Sequence, residues 1–192
     1  MSFYFKKKFN MFNFIIIIVV ITIFLSIFRY YIIPKILFPY NHTNIIEKYS
    51  EEYNVPISLI LAVINVESNF DEEAVSNKGA KGLMQIMDIT GEWAAEEIGI
   101  ENFTTNMLFE PEINIQIGCW YINRLNKQFN NEKNTVLAAY NAGSGNVSKW
   151  LENINYSSDN ETLYDIPFEQ TKNYVKKVNL NEKIYKSIYQ IE

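Results

Sequence analysis

Residues 9–28 contain no charged side chain. From residue 14 onward the only polar side chains in this run are those of Thr22 and Ser26. In an α-helix these 20 residues rise about 30 Å, the thickness of the hydrocarbon core of a bilayer. The core helix of a soluble protein is rarely apolar on every face over this length. The run therefore predicts a transmembrane helix.

The charges on either side of the run predict its orientation. Three lysines at residues 6–8 precede it and Arg29 follows it, so the positive-inside rule places the N-terminus in the cytoplasm and the rest of the chain outside. A cleaved signal peptide is the alternative, but the run is long for one and no small-residue cleavage site follows it. We therefore expect a cytoplasmic segment over 1–8, an uncleaved signal-anchor over 9–29 and a proline-containing stalk over 30–44.

The remainder of the chain differs in charge from this basic, apolar head. Residues 1–40 carry five of the 17 basic side chains and none of the 22 acidic ones, so residues 41–192 are strongly acidic. An acidic domain does not bind nucleic acid by bulk electrostatics. A hydrophobic content of 48% is too high for a disordered chain, and about 150 residues suffice for one ordinary domain with a core.

Apolar spacing in this remainder predicts a mainly α fold. The predicted helices cover residues 57–67, 90–98, 111–129, 135–142 and 170–188. Thr90 and Asn134 are the expected N-caps of their helices, and Pro111 suits a first helical turn. No alternating strand of useful length is present, although the loop over residues 76–85 has room for a small hairpin.

The chain has a single histidine and a single cysteine, which narrows its chemistry. Cys119 lies in an apolar helical stretch, where a small buried side chain is expected, and no intramolecular disulfide can form. His42, the single histidine, lies in the predicted stalk. The sequence therefore argues against a histidine triad and against a histidine-ligated metal site. We therefore expect carboxylate chemistry instead of chemistry that depends on histidine or cysteine.

Glu67 is the strongest catalytic candidate. Ile60, Val63 and Ile64 precede it at helical spacing, so it continues the apolar stripe of its helix. Apolar surroundings disfavour the ionised carboxyl and raise its pKa, and a carboxylic acid with a pKa of about 6–7 can donate a proton near neutral pH. The alternative is a glutamate that merely ends the helix.

Two further segments are candidates for ligand binding. In residues 82–86 the amide of Gln85 offers a donor and an acceptor, which suits a sugar acetamido or hydroxyl group; alternatively, this loop only fills the core. In residues 138–143 small side chains flank Tyr140 and Asn141, so a ligand or another backbone can approach closely. Simple helix packing is the alternative here.

Three short motifs together resemble a known family. They are Glu-Ser at residues 67–68, Gly-Leu-Met-Gln at 82–85 and Ala-Tyr-Asn-Ala-Gly at 139–143. In this order and spacing they are similar to the lytic transglycosylase domain of the soluble-lytic-transglycosylase (SLT) type, whose members cleave bacterial peptidoglycan. The resemblance extends over residues 46–184 and implies a lysozyme-like, mainly α domain with a glycan cleft, here residues 45–192.

The resemblance implies roles for individual residues. Glu67 matches the catalytic acid/base of the family. The residues implied to bind substrate or to orient the acid are Ser68, Ser76, Gln85, Met87, Tyr140, Asn141 and Tyr174. The sequence departs from the family at Gln170, where a glutamate is common, so a second charge is missing there. No metal and no cofactor are implied.

The resemblance also implies a reaction, the non-hydrolytic cleavage of the β-1,4 bond between N-acetylmuramic acid and N-acetylglucosamine, which leaves 1,6-anhydromuramic ends. Glycosidases usually need two carboxylates, but the acids at residues 71–73 lie in a polar loop, so Glu67 is expected to act alone. One alternative is a hydrolase similar to goose-type lysozyme. Another is an inactive glycan-binding or scaffold subunit of a wall-spanning assembly.

The expected partners and location follow from this interpretation. Peptidoglycan glycan strands are the expected ligand, and the N-terminal helix is expected to bind the membrane. Nucleic acid is not an expected partner, and the sequence identifies no protein partner from wall synthesis or secretion. We expect a single-pass protein of the bacterial cell membrane with its catalytic domain on the extracytoplasmic side.

Overall fold

The structure, a computed structural model, describes residues 11–191 and divides into two units, one ending at Pro39 and one beginning at Tyr40. The N-terminal unit is helical from residue 11, with α1 (Met11–Ile27), a π-helical stretch (Phe28–Ile32) and α2 (Ile33–Leu37). The predicted segment 1–8 lies outside the described residues. Helical structure continues to Leu37, so part of the predicted stalk is helical.

This N-terminal helical segment is long and apolar enough to cross a membrane. No residue of α1 is buried, and its isoleucine, valine and phenylalanine side chains are exposed on every side. A helix that is apolar all round and has no buried residue exposes a surface suited to lipid. The described residues contain one helix of this kind.

The C-terminal unit is built from helices. They are α3 (Thr43–Tyr53), α4 (Ile57–Glu67), α5 (Asp88–Ile98), α6 (Pro111–Gln128), α7 (Lys133–Ala142), α8 (Ser144–Leu151) and α9 (Glu169–Tyr189), with a 3₁₀ turn over Thr105–Phe109. Between residues 11 and 191 there is no strand, and the expected hairpin is reduced to the isolated bridges Val75–Lys81 and Lys81–Ile86. The predicted mainly α class is confirmed.

Two helices begin earlier than the sequence predicts. α5 begins at Asp88, an acidic residue that suits a helix N-terminus, so Thr90 lies within the first turn and is not the N-cap. α7 begins at Lys133, which makes Asn134 its second residue. The Asn134 side chain accepts a hydrogen bond from Asn179 of α9, with 2.9 Å between Nδ2 and Oδ1. It therefore joins two helices instead of capping one.

Helix α8 was not predicted, because Gly143 looks like the end of the preceding helix. Gly143 has a φ of 88° and does end α7, but α8 begins at the next residue. Its Val147, Trp150 and Leu151 side chains are buried. The positive φ thus allows an abrupt change of direction between two packed helices.

Helix α4 is the core helix of this unit. Every residue from Ser58 to Ile64 is buried, and α4 packs against α9 and α3. A helix surrounded in this way has no solvent-exposed face over this stretch, which explains why its sequence is almost entirely apolar. This packing fixes the position of Glu67, the last residue of α4.

Asn114 anchors the loop that follows α4. The side chain is fully buried on α6, and its Oδ1 accepts from the Met84 backbone N–H at 2.7 Å. Its Nδ2 donates to the Lys81 and Leu108 carbonyls at 2.9 and 2.7 Å. At Gly82, with a φ of +71°, a Cβ atom would lie 2.2 Å from the Leu108 oxygen. The loop over residues 81–85 is therefore held tightly against α6.

Candidate active site

A cleft of about 640 Å³ lies at the C-terminal end of α4. Its walls come from the end of α4, the loop before α5, the middle of α6, the end of α7 and the start of α9. The predicted site residues that line it are Glu67, Ser76, Gln85, Met87, Tyr140 and Asn141. Ser68 and Tyr174 are absent from the lining. The tertiary structure therefore brings most of the predicted residues to one concave surface.

Glu67 as a whole residue is partly exposed to solvent, but its carboxyl group is densely surrounded by protein atoms. This desolvation raises the pKa of Glu67 from 4.5 to about 7. The nearby Tyr174 hydroxyl acts in the opposite direction and lowers the pKa. Because desolvation dominates, Glu67 stays largely protonated up to near-neutral pH and can donate a proton.

Tyr174 lies behind Glu67 on α9 and is buried. Burial raises the pKa of Tyr174 well above its usual value, and the Glu67 charge adds to this effect. The phenol is therefore neutral and keeps its proton. Its contact with Glu67 falls short of a regular hydrogen bond, and the hydroxyl has no regular partner among residues 11–191. It is thus placed to donate to the Glu67 carboxylate once that group has lost its proton.

Tyr140 contributes mainly its ring to the cleft. Its hydroxyl donates to the Met84 carbonyl at 2.8 Å and ties α7 to the loop over residues 81–85. Burial raises the pKa of Tyr140 well above its usual value, so the donor is retained. Only the lone pairs of the Tyr140 oxygen remain for a ligand.

Gln85 also has its donors occupied by the protein. Its Nε2 donates to the Ala74 and Gly82 carbonyls at 3.0 and 2.9 Å. The side-chain amide thereby closes the loop, whose backbone at Gln85 has a φ of +49°. The oxygen Oε1 is left as the group that can accept a hydrogen bond from a sugar hydroxyl or acetamido N–H.

The remaining predicted polar residues have mixed roles. Ser76 accepts from the backbone N–H of Ala80 at 3.0 Å, which leaves its hydroxyl proton for a ligand. Asn141 accepts at Oδ1 from Thr171 at 2.9 Å, and its amide hydrogens have no partner within residues 11–191. Ser68 donates to the Leu83 carbonyl at 2.8 Å and so holds the loop against α4.

The sequence did not identify several residues that line the cleft. Thr90 of α5, Tyr121 of α6 and Gln170 of α9 all contribute to it. Tyr121 lies against Tyr140, with 5.6 Å between the ring centroids. In sequence Tyr121 is indistinguishable from a core aromatic residue of an apolar helix, and Gln170 stood out only as a missing charge. Among the described residues no group of three or more His, Cys, Asp or Glu side chains could hold a metal ion.

Residues 44–163 match the family described as the transglycosylase SLT domain, which is more than half of the chain. The chain belongs to this family. The resemblance inferred from the three motifs is thereby confirmed.

The curated relatives that are named as lytic murein transglycosylases include soluble and membrane-bound proteins. The soluble lytic murein transglycosylase of Escherichia coli K12 is 34% identical over 151 residues, which are 78% of this chain and 23% of the relative. The membrane-bound lytic murein transglycosylase C of Edwardsiella ictaluri is 29% identical over 177 residues, covering 78% of this chain and 47% of the relative. This chain therefore spans about a quarter of the length of the first of these relatives. The second relative is named as membrane-bound, and the apolar helix of this chain is compatible with membrane association.

Solved structures of the SLT type have the same fold. An inactive variant of the lytic transglycosylase Slt from Pseudomonas aeruginosa superposes with a TM-score of 0.70 at 31% sequence identity, covering 80% of this chain and 25% of that one. This likeness confirms the predicted fold, the lysozyme-like domain of lytic transglycosylases.

The raised pKa of Glu67 predicts a pH-dependent stability. A carboxyl whose pKa is higher in the folded state stabilises the fold fully below its unfolded pKa, and this contribution is lost as the pH rises through about 7. Relative to Glu67→Gln, the wild type is expected to lose about 1–3 kcal/mol between pH 4 and pH 8. Denaturant unfolding of both detergent-solubilised full chains at these two pH values measures the difference. A difference that does not change with pH would contradict the assigned pKa.

Proposed function

We propose that this protein is a membrane-anchored peptidoglycan lytic transglycosylase. The observation that carries the proposal is a cleft in an SLT-type domain whose lining contains one carboxyl group, Glu67, with a pKa of about 7. Hydrolytic glycosidases usually place two carboxyl groups around the bond. A single carboxyl suffices when the substrate supplies its own nucleophile.

In the first step Glu67 acts as the acid. The protonated carboxyl donates to the glycosidic oxygen between N-acetylmuramic acid and N-acetylglucosamine, and the bond from this oxygen to the muramic anomeric carbon breaks. The acetamido oxygen of the same muramic residue stabilises the positive charge that develops at that carbon. The free amide hydrogens of Asn141 and the acceptor oxygen of Gln85 are available to orient this acetamido group.

In the second step Glu67 acts as the base. Its carboxylate takes the proton of the muramic 6-hydroxyl, whose oxygen attacks the anomeric carbon and closes the 1,6-anhydro ring. Glu67 is thereby reprotonated, and no water is consumed. The nucleophile belongs to the same sugar, so its attack needs no ordered water and gains the advantage of proximity. Between the steps the neutral Tyr174 hydroxyl is placed to stabilise the carboxylate.

The hydrolytic alternative lacks a second acid in the right place. The acidic residues closest in sequence, Asp71, Glu72 and Glu73, do not line the cleft. Asp71 accepts from the Glu73 backbone N–H at 3.0 Å, and Glu72 pairs with His42 at 3.2 Å. These acids therefore organise a loop. Gln170, which does line the cleft, has no charge with which to activate water.

The products formed from purified cell walls test this proposal. We expect the full chain to release muropeptides with 1,6-anhydromuramic ends, which are lighter by one water than the products of hydrolysis. Mass spectrometry of the soluble digest distinguishes the two. Reducing-end products without anhydro forms would identify a hydrolase, and the absence of any release would favour a binding subunit.

The proposal includes a single-pass topology with the catalytic domain on the extracytoplasmic side. The apolar helix over residues 11–37 and the three lysines that precede it support this orientation. Protease added to intact protoplasts is expected to degrade the domain without lysis. Protection of the domain until the membrane is opened would contradict the orientation.

A further inference from the structure

Aromatic side chains continue one wall of the cleft beyond Tyr140. We call Tyr140, Tyr121, Trp120 and Trp93 the aromatic row. Tyr121 lies 5.6 Å from Tyr140 and 6.5 Å from both tryptophans, measured between ring centroids, and the two tryptophans are 4.9 Å apart. The two tyrosines line the cleft and the two tryptophans lie outside its lining, so the row leads from the cleft to α5.

Arg124 lies at the outer end of the aromatic row. Thr90 and Tyr121 line the cleft, and Trp93 and Arg124 follow them by one helical turn on α5 and α6. The Arg124 guanidinium carbon lies 4.9 Å from the centre of the Trp93 ring. The two residues thus continue the cleft by one further position along the same pair of helices.

The Arg124 guanidinium is available to a ligand. The side chain is exposed, Trp93 is 37% exposed, and Arg124 forms no ion pair with any acid among residues 11–191. A hollow of about 330 Å³ beside it is lined by Arg124, Lys127 and Gln128, without an acidic side chain. On a domain that is acidic overall, this recess is lined by two basic side chains, and one of them, Arg124, contacts Trp93 of the aromatic row.

The choice of arginine is informative in this chain. Lysine is the usual basic residue here, and the only arginine besides Arg124 is Arg29, which follows the apolar run. A guanidinium group stacks flat on an aromatic ring and presents a planar pair of donors that matches a carboxylate, whereas an ammonium group does neither well. The aromatic faces next to it suit the apolar face of a sugar ring.

We propose that Arg124, held on Trp93, forms a subsite that recognises a carboxylate carried by the N-acetylated glycan. The inference rests on the proposed function, because it assumes that the glycan occupies the cleft. The carboxylate belongs either to the lactyl group of a muramic residue or to a peptide attached to that group. The alternative is that Arg124 only packs on Trp93 and contributes to stability.

Binding of three glycans of equal length tests this subsite. The full chain with Glu67→Gln serves as the parent, so that the ligands are not cleaved. The probes are a neutral oligomer of N-acetylglucosamine, a peptide-free muramyl glycan with lactyl carboxylates and a peptide-bearing glycan, each titrated by calorimetry. Adding Arg124→Gln is expected to weaken binding of a carboxylate-bearing glycan fivefold to tenfold and to leave the neutral oligomer unchanged.

The pattern of losses identifies the source of the carboxylate. A loss with the peptide-free muramyl glycan assigns the lactyl group, and a loss confined to the peptide-bearing glycan assigns the peptide. Arg124→Lys, which keeps the charge but not the planar fork, is expected to show a smaller loss on the same glycan. Lys177→Gln removes an equal charge from an exposed position on α9 and is expected to change none of the three affinities.

Two outcomes would overturn the subsite. If Arg124→Gln leaves the affinity for each of the three glycans unchanged, Arg124 is only a packing residue. The same conclusion follows if the substitution weakens binding of all three glycans by the same factor. In both cases the parent still binds glycan and the proposed function stands. If the parent binds none of the three glycans, the proposed function is overturned together with the subsite.

Discussion

Replacing Glu67 by glutamine is expected to slow the formation of anhydromuramic products by roughly 10³-fold to 10⁴-fold. The carboxamide has nearly the same shape as the carboxylic acid but can neither donate the proton to the leaving oxygen nor accept one from the 6-hydroxyl. Both steps therefore lose their proton-transfer group. The rate is measured as anhydro ends released from purified walls per unit of protein. In the Pseudomonas aeruginosa relative, a variant with one glutamate replaced by glutamine is described as inactive.

A matched variant separates the acid from the general charge of this region. Glu73→Gln makes the same change at an exposed position six residues later and is expected to retain the wild-type rate. Because burial disfavours the Glu67 carboxylate, Glu67→Gln is also expected to fold at least as stably as the wild type at pH 8. Retention of more than a tenth of the wild-type rate by Glu67→Gln would refute its assignment as acid and base.

Replacing Asn114 by alanine is expected to lower the free energy of unfolding by about 3–5 kcal/mol. The substitution removes three hydrogen bonds at once and leaves the Met84 N–H and the Lys81 and Leu108 carbonyls without their partner. These groups lie in a tightly packed region where water cannot replace the amide. Denaturant unfolding of the full chain in detergent measures the loss.

Asn123 provides the control for this change, because it lies on the same helix and makes a single bond to the backbone. Its Nδ2 donates to the Tyr53 carbonyl at 2.7 Å, so Asn123→Ala is expected to lower the free energy of unfolding by about 1 kcal/mol. In Asn114→Ala, by contrast, the loop over residues 81–85 is also expected to lose its fixed position against α6. An effect of Asn114→Ala no larger than that of Asn123→Ala would show that the loop is held by other contacts.

The sequence predicted the helical fold well, because local signals coincide with the tertiary structure in most of the chain. The apolar stripe of α4 and the proline that opens α6 both indicate helices that form as predicted. The prediction failed where packing decides, as at α8, which begins directly after a glycine that normally ends a helix. The early start of α7 is similar, since Asn134 finds a partner on α9, far away in sequence.

For the candidate site, the sequence predicted the surroundings of Glu67 better than the hydrogen bonds of the groups around it. The apolar stripe before Glu67 is a local pattern, and it correctly indicates a carboxyl with a raised pKa. Which hydrogen-bond donors are already occupied does not follow from the local sequence, because Tyr140 donates to Met84 and Gln85 donates to Ala74, both distant in sequence. Motif spacing therefore predicted that these side chains meet, but not which of their atoms remain for a ligand.

The absence of a second carboxyl at the cleft now has a structural basis. Gln170, which differs from the glutamate common in the family, is part of the cleft lining. Its amide can accept and donate hydrogen bonds but cannot act as a base near neutral pH. The lining of this cleft therefore contains a single carboxyl group, that of Glu67, and in the proposed mechanism the nucleophile comes from the glycan.

Digestion of purified walls in water labelled with heavy oxygen tests this central claim most directly. A reaction closed by the muramic 6-hydroxyl incorporates no oxygen from the solvent, so we expect anhydromuramic products at their unlabelled mass. Water would add its heavy oxygen to the muramic anomeric carbon if it were the nucleophile. Labelled reducing ends formed by the wild type, and lost in Glu67→Gln, would show that the protein is a hydrolase and would contradict the single-carboxyl mechanism.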